Sequence, residues 1–230
     1  NPTIPPVLVR ENALFGTGFF PDDSDQVYEI PNDDLFLVGT SEVSLAALHG
    51  DEILDFDKLP IRYAGYSTCF RREAGTYGKD TTGIFRVHQF DKVEMFSFCS
   101  PEKSEEEHEF ILSVEEEILQ ELEIPYRVVD VCTGDLGSSA AKKFDIEAWI
   151  PSQNTYREVT SCSNTTDFQA RRLNIRTKVE KDTALLHTLN GTAIAVGRIL
   201  IALLENNQTE DGGVEFSDSL GNILGVEKLS

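Results

Sequence analysis

The sequence predicts an α+β protein, with a mainly antiparallel β-sheet flanked by helices. Two observations lead to this. Short apolar segments of strand length recur along the chain with turn residues between them, and helical patterns are set among them. At 230 residues the chain can bury a substantial core, as one large domain or two small ones. A single domain over residues 1–230 is expected.

The elements follow in order. Val7 to Val9 reads as a strand end after Pro5 and Pro6, and Leu35 to Val38 as a short apolar strand. A helix opens near Thr40 or Ser41, residue types that favour the N-terminal cap. Glu42 in its first turn suits the positive end of the dipole. Ile61 to Ser67 is a strand, followed by two more around a glycine-rich loop between Cys69 and Glu94. From Glu102 to Glu123, Phe110, Ile111, Val114, Ile118 and Leu122 recur at helical spacing. This predicts an amphipathic helix whose glutamates form a solvated face. Strands are expected at Tyr126 to Val131, Ile146 to Ile150 and Tyr156 to Thr160, with Ala140 to Lys143 as a connector. The last strand, near Leu185 to Leu189, leads through Asn190-Gly191 into a helix that contains Gly197 and Arg198. Asp22 to Asp25, Lys178 to Asp182 and the tail after Gln208 are expected to fray.

Composition excludes several classes. No apolar run reaches the roughly 18–20 residues that span a membrane. The longest, Ala193 to Leu204, is interrupted by Gly197 and Arg198, so no membrane partner is expected. The start NPTIPPVLVREN has neither the basic end nor the apolar core of a signal peptide. Cys69, Cys99, Cys132 and Cys162 show no CxxC spacing, which argues against a zinc ribbon or redox pair. Reduced, mostly buried thiols in a cytoplasmic protein are expected. The net charge of −20 would repel a polyanion from the chain as a whole. The charge is uneven, however: Gln169 to Lys178 holds four basic residues and no acidic one.

The most distinctive stretch is CFRREAGTYGKDTTGIFRVHQFDKVE, from Cys69 to Glu94. Alternate residues of a strand point to one face. Arg71 and Glu73 would therefore share a face. So would Arg86, His88, Phe90, Lys92 and Glu94, with Phe85, Val87, Val93 and Met95 opposite. Two arginines, a carboxylate on each strand and one aromatic ring suit a ligand with anionic groups, a flat ring and a cationic amine. The alternative is a solvated hairpin face held by weak cross-strand ion pairs.

The string FRxEAG…G…RxHQFxKVE resembles motif 2 of the class II aminoacyl-tRNA synthetases, in the form seen in seryl-tRNA synthetases. The resemblance continues through TSE at Thr40 to Glu42, REVTSCSN at Arg157 to Asn164 and HTLNGTAIAVGR at His187 to Arg198, covering about residues 3 to 212. It implies a class II catalytic domain that activates L-serine with ATP and Mg2+ and passes it to serine tRNA, as a homodimer. VLVRENALFGTGFFP and SCSNTTDFQARR are similar to bacterial forms and imply a bacterial, cytoplasmic origin.

In such activation a carboxylate attacks an anionic phosphorus, so fixed cations and a divalent metal lower the barrier more than acid or base catalysis does. The resemblance implies that Arg71 bridges the serine carboxylate and the α-phosphate, and that Glu73 accepts from the adenine amino group. Phe90 would stack on the adenine ring, Arg86 would meet the outer phosphates, and Arg198 would hold the γ-phosphate. Arg72, Val159 and Thr160 join this ATP-binding set. Glu158 and Ser161 match the family's magnesium pair. Residues three apart face opposite sides of a regular strand, so a shared ion requires a bulge or a strand end between them. Thr40, Ser41, Glu42, Arg71, Glu94, Asn190 and Thr192 would form the serine site. His88 and His187 are expected to be satisfied by their local networks, because this reaction needs no base on the amino-acid carboxylate.

The chain departs from the family in three respects. No heptad pattern marks the helical arm that grips serine tRNA, motif 1 is represented only by TIPPVLV, and the tail SDSLGNILGVEKLS after about residue 212 is atypical. The expectation is a complete adenylation site with weak or dependent tRNA charging. One alternative is a ligase that hands an aminoacyl group to a carrier protein; the absence of an obvious zinc-ligand set disfavours it. Another is a non-catalytic paralogue acting as a binding subunit, which would have lost one of Arg71, Glu73, Glu158 or Arg198.

Overall fold

The computed structural model describes residues 1–75, 80 and 83–230. In chain order the elements are β1 (Pro2–Thr3), β2 (Leu8–Val9), α1 (Glu11–Thr17), β3 (Tyr28–Ile30), β4 (Leu35–Leu37), α2 (Glu42–Ala47), β5 (Ile53–Leu54), β6 (Ile61–Phe70) and β7 (Gln89–Cys99). Then come α3 (Ser104–Glu121), β8 (Tyr126–Asp130), β9 (Lys142–Ile150), β10 (Thr155–Asn164), α4 (Phe168–Arg172), β11 (Arg176–Val179), β12 (Asp182–Leu185) and β13 (His187–Ala195). The chain closes with α5 (Val196–Asn206), β14 (Val214–Glu215), α6 (Asp218–Leu224) and β15 (Lys228–Leu229).

A seven-stranded sheet in the order β1-β6-β7-β13-β10-β9-β8 organises the molecule. Every pairing in it is antiparallel except β1 with β6. The α+β expectation therefore holds. Alternation along β7 divides the two faces. Phe96 and Phe98 point into one apolar core with Leu45 of α2, Ala170 of α4, Ile175 and Leu186. Phe90, Lys92 and Glu94 continue that same row towards the start of the strand. Ser97 and Cys99 face the other way, onto α3. The sheet thus has a site face and an α3 face.

The acidic helix is rotated from its expected setting. The buried residues of α3 include Glu107, His108, Ile111, Glu115 and Leu119, whereas Phe110 is 40% exposed. Two of its glutamates are therefore not a solvated face. Arg62 binds Glu107 through two bonds of 2.6 Å, and Ser97 adds a third of 2.7 Å. The Arg62 guanidinium in turn covers the Phe110 ring at 3.9 Å, which explains an aromatic on the outer side.

Other expectations shift in detail. Asn190-Gly191 is no turn: β13 runs through it to Ala195. Glycine is required there because a Cβ would fall 2.3 Å from Ile111 Cγ2 and 2.7 Å from Glu115 Oε1. β6 ends at Phe70 and β7 begins at Gln89, so Arg71, Glu73, Phe85, Arg86, Val87 and His88 lie outside the ladder. Strand alternation does not place these residues. The glycine-rich loop between the two strands falls partly at residues 76–79, 81 and 82, outside the described residues. β9 already begins at Lys142 and β10 extends to Asn164. Of the segments expected to fray, Lys178 to Asp182 closes the β11–β12 hairpin, Ser24–Gln26 is a turn of 3-10 helix, and the tail holds β14, α6 and β15. Among the described residues, no helix is long and apolar enough to cross a membrane.

Candidate active site

A cavity of about 250 Å³ opens on the site face, lined by residues of β7, β10 and β13 and by Arg71 just past the end of β6. Its mouth is built of arginines and an aromatic ring. Arg71, just past β6, donates from Nε to the Gly39 carbonyl at 3.1 Å and lies 5.4 Å from the Phe90 ring centre. Arg86 pairs with Glu73 at 2.5 Å. Arg198, at the start of α5, donates to the Glu158 carbonyl at 3.1 Å and sits 3.6 Å from its carboxylate. Burial lowers the Arg198 pKa, opposed by the Glu158 charge, yet a guanidinium remains protonated at neutral pH. The Phe85 ring, 5.0 Å from Arg198, supports that guanidinium from the side.

The closed end is polar and buried. Lys92 is ion-paired with Glu94, and its Nζ lies 3.4 Å from Thr192 Oγ1. Thr192 Oγ1 in turn donates to Glu94 Oε2 at 3.3 Å. Glu42 Oε1 accepts from Gln169 at 2.8 Å and from Asn190 at 2.9 Å. Burial, then the nearby charge of Glu94, pushes the Glu42 pKa up to about 7. Thr40 Oγ1 accepts the Glu42 amide at 3.2 Å, so Thr40 satisfies the opening of α2.

A cation shared by Glu158 and Ser161 requires an irregular strand between them. β10 is not regular there: its register with β9 shifts between Glu158 and Thr160. Glu158 stands opposite Glu147 and Ser161 opposite Asp145, partners two apart on β9. The extra residue, Val159, thus returns Glu158 and Ser161 to one face. A carboxylate and a hydroxyl on one face of the cavity wall fit a hard divalent cation.

Most of the expected residues converge on the cavity: Thr40, Glu42, Arg71, Glu73, Arg86, Phe90, Glu94, Glu158, Ser161, Asn190, Thr192 and Arg198 all line it. Val159 and Thr160 line it too, but their side chains are committed elsewhere. Val159 is core, and the Thr160 hydroxyl donates to the Thr192 carbonyl. Two residues are not brought to it. Ser41 is buried under Gly65, with Oγ 3.4 Å from its carbonyl, and Arg72 turns outward, 5.8 Å from the Tyr28 ring. Sequence reasoning set Lys92 on the site face but gave it no role, and missed Lys143 and Ser163, which also line the cavity, and Gln169 behind it. A role for Lys92 was discoverable, since it alternates with Glu94 and Phe90 on one strand face; nothing local marks Gln169. His88 Nδ1 lies 3.0 Å from the Tyr28 hydroxyl and 3.1 Å from the Arg71 carbonyl, as a locally satisfied histidine should. His187 Nδ1 is buried and finds no partner among the described residues, contrary to expectation; it stands opposite Cys99, away from the cavity.

The antiparallel sheet, the arginine-lined cavity and the bulged acidic strand define a class II tRNA synthetase core. Residues 27–207 match the family model described as the tRNA synthetase class II core domain (G, H, P, S and T), and the chain belongs to that family. Within it the resemblance to the seryl branch is borne out. The chain is 58% identical over 228 residues to Serine–tRNA ligase 1 of Streptomyces avermitilis, which covers 99% of this chain and 54% of that protein. It is also 58% identical over 229 residues to the serine–tRNA ligase of Corynebacterium diphtheriae, at 98% and 54% coverage. The chain thus spans about half the length of the curated relatives it matches. The crystal structure of seryl-tRNA synthetase from Pyrococcus horikoshii complexed with ATP superposes with a TM-score of 0.96 and 53% identity, over 99% of this chain and 52% of that one. The cytoplasmic serine–tRNA ligase from Naegleria fowleri in complex with AMP superposes with a TM-score of 0.93 and 40% identity, over 100% of this chain and 55% of that one.

Proposed function

We propose that residues 1–230 form a single catalytic domain that joins L-serine to ATP, giving seryl-adenylate and pyrophosphate, as the first half of seryl-tRNA synthesis. A serine carboxylate oxygen attacks the α-phosphorus, and the bond to the β-phosphate breaks. The observation that carries this reading is one cavity with two chemically distinct ends: arginines and an aromatic ring at the mouth, buried carboxylates and hydroxyls at the closed end.

At the mouth, Phe90 stacks on the purine and Glu73 accepts its amino group. Arg71 holds the serine carboxylate against the α-phosphate, using the bidentate fork that lysine lacks. Arg86 and Arg198 take the outer phosphates. Glu158 and Ser161 would hold Mg2+, which when bound draws charge from the phosphates as the leaving group departs. At the closed end Glu42, Glu94 and the Thr40 and Thr192 hydroxyls, with Asn190, receive the amine and the serine hydroxyl. A ligand without the hydroxyl leaves buried partners unpaired and is rejected.

The similarity to serine–tRNA ligases supports transfer to serine tRNA as the second half. With a net charge of −20 the chain offers a polyanion little long-range attraction, so transfer is the weaker activity of this chain alone. Ile4 at 84% and Tyr66 at 49% exposure lie beside the β1–β6 edge and support a homodimer through that edge. Buried thiols at Cys69, Cys99 and Cys162 support a reducing, cytoplasmic setting. A binding subunit without catalysis is disfavoured, because Arg71, Glu73, Glu158 and Arg198 all stand at the cavity. Serine-dependent exchange of pyrophosphate into ATP tests the reading, with threonine, alanine and cysteine as controls. Exchange with serine alone is expected; none from a folded, magnesium-loaded sample would overturn it.

A further inference from the structure

The β10–β13 ladder stops at the edge of the cavity. Its pairs run from Asn164↔Leu189 through Ser163↔Asn190 to Cys162↔Gly191, and end there. Both strands bulge just beyond, β10 between Glu158 and Thr160 and β13 between Thr192 and Ile194. Where backbone pairing is lost, the Thr160 hydroxyl bridges the strands by donating to the Thr192 carbonyl. Thr192 is the residue whose own hydroxyl meets Glu94 inside the cavity.

Thr160 alternates with Cys162, which packs on Ile111 of α3, so its side chain lies on the α3 face of the sheet. There it faces Glu115. This glutamate is 1% exposed, and neither carboxyl oxygen makes a hydrogen bond of good geometry among the described residues. The Thr160 hydroxyl and Cys162 thiol lie within its reach, with the charges of Glu94, Lys92 and Asp145 beyond. Its Oε1 also rests against the backbone of β13, at the place where a Cβ on Gly191 would stand 2.7 Å away. Glu115 therefore touches both strands at the point where their ladder ends.

We propose that Glu115 is a positioning residue for the amino-acid end of the cavity, acting from the far face of the sheet through Thr160 and Thr192; this rests on the serine-activating reading above. Burial raises the pKa of this carboxyl well above the usual carboxylate range and so favours its protonated form. A neutral carboxyl has one proton to donate, and Thr160 Oγ1 can accept it while passing its own to the Thr192 carbonyl. The chain of donors runs one way, from α3 to β13, and sets the height of the Thr192 hydroxyl against Glu94. An apolar side chain of similar volume would fill the space without burying a polar group. The contribution of the acid is thus directional.

The test compares Glu115→Met, which keeps volume but cannot donate, with Glu115→Gln, which can. In pyrophosphate exchange the methionine variant should raise KM for serine tenfold or more and weaken the preference for serine over alanine. KM for ATP should stay within twofold and Tm should not fall. Glutamine should restore serine KM to within threefold of the parent. Amide hydrogen exchange at Gly191 to Ala193, read without substrate, should quicken in the methionine variant and not in the glutamine variant. Unchanged serine KM and unchanged amide exchange with methionine would overturn the proposal, as would equal losses for serine and ATP. A parent chain with no serine-dependent exchange would remove the serine reading alone, since amide exchange still judges the Glu115–Thr160–Thr192 link.

Discussion

At the residue scale the proposed reading assigns the two substrates to different ends of the cavity. Glu94 touches only the closed end, paired with Lys92 and Thr192. Glu94→Ala should lower serine-dependent exchange at least about 10²-fold while ATP affinity, read by calorimetry, changes little. Equal loss of both would place Glu94 outside the serine site. On the proposed reading Arg71 meets the reacting centre, so Arg71→Ala should cost about 10²–10³ in turnover, the range for a fixed transition-state donor, with an unaltered unfolding curve. Glu42 gives a pH signature. Its pKa rises from 4.5 to about 7, by burial first and the Glu94 charge second. An ammonium needs the ionised form, so kcat/KM for serine should climb as pH rises through about 7, and Glu42→Gln should flatten that limb. The stability sign is opposite. As pH rises the unfolded chain releases this proton near 4.5, while the folded one keeps it to about 7. Stability is thus lost between those values, by on the order of 3 kcal/mol at 1.36 kcal/mol per pH unit. Urea melts of the parent and Glu42→Gln at both ends of the window check it.

At the element scale, two bulges and one glycine turn a regular sheet into a site. Gly191 lets α3 lie against β13, with a virtual Cβ only 2.3 Å from Ile111. Gly191→Ala should destabilise the fold by about 1–3 kcal/mol as an overpacked contact, seen as a lower urea midpoint. The same elements show what the sequence made legible. β7 was readable from its alternation, and the linear motif brought Arg71, Glu73, Arg86 and Arg198 to one cavity. The strand geometry first invoked for Arg71 and Arg86 was wrong, because the ladder ends before them. The requirement for a bulge between Glu158 and Ser161 was visible from spacing alone, but its cause, the burial of Val159 in the core, is tertiary. The burial of Glu107 and Glu115 was invisible, since their partners Arg62, Ser97 and Thr160 lie far away in the chain. Asn190-Gly191 looked like a turn because its glycine serves packing rather than backbone curvature.

At the scale of the whole molecule, the proposed reaction asks a chain of charge −20 to accept a triphosphate. The cavity's cations for this are local and already engaged: Arg86 with Glu73, Lys92 with Glu94 and Arg198 with Glu158. Long-range fields are screened within about 8–10 Å at moderate salt, whereas contacts at short range in a partly buried cavity are screened much less. The ATP KM should therefore change less than about threefold between 50 and 200 mM NaCl, while any binding of serine tRNA should weaken steeply over that range. Exchange assays and filter binding at matched ionic strength compare the two. The paired cavity also works as an ion exchanger. Phosphates that claim Arg86 and Arg198 draw them from Glu73 and Glu158, which on the proposed reading turn to the purine amino group and to the cation that accompanies the same nucleotide. The nucleotide in this way unlocks its own seat, while the Lys92–Glu94 pair at the closed end is left for the amino acid to exchange in its turn.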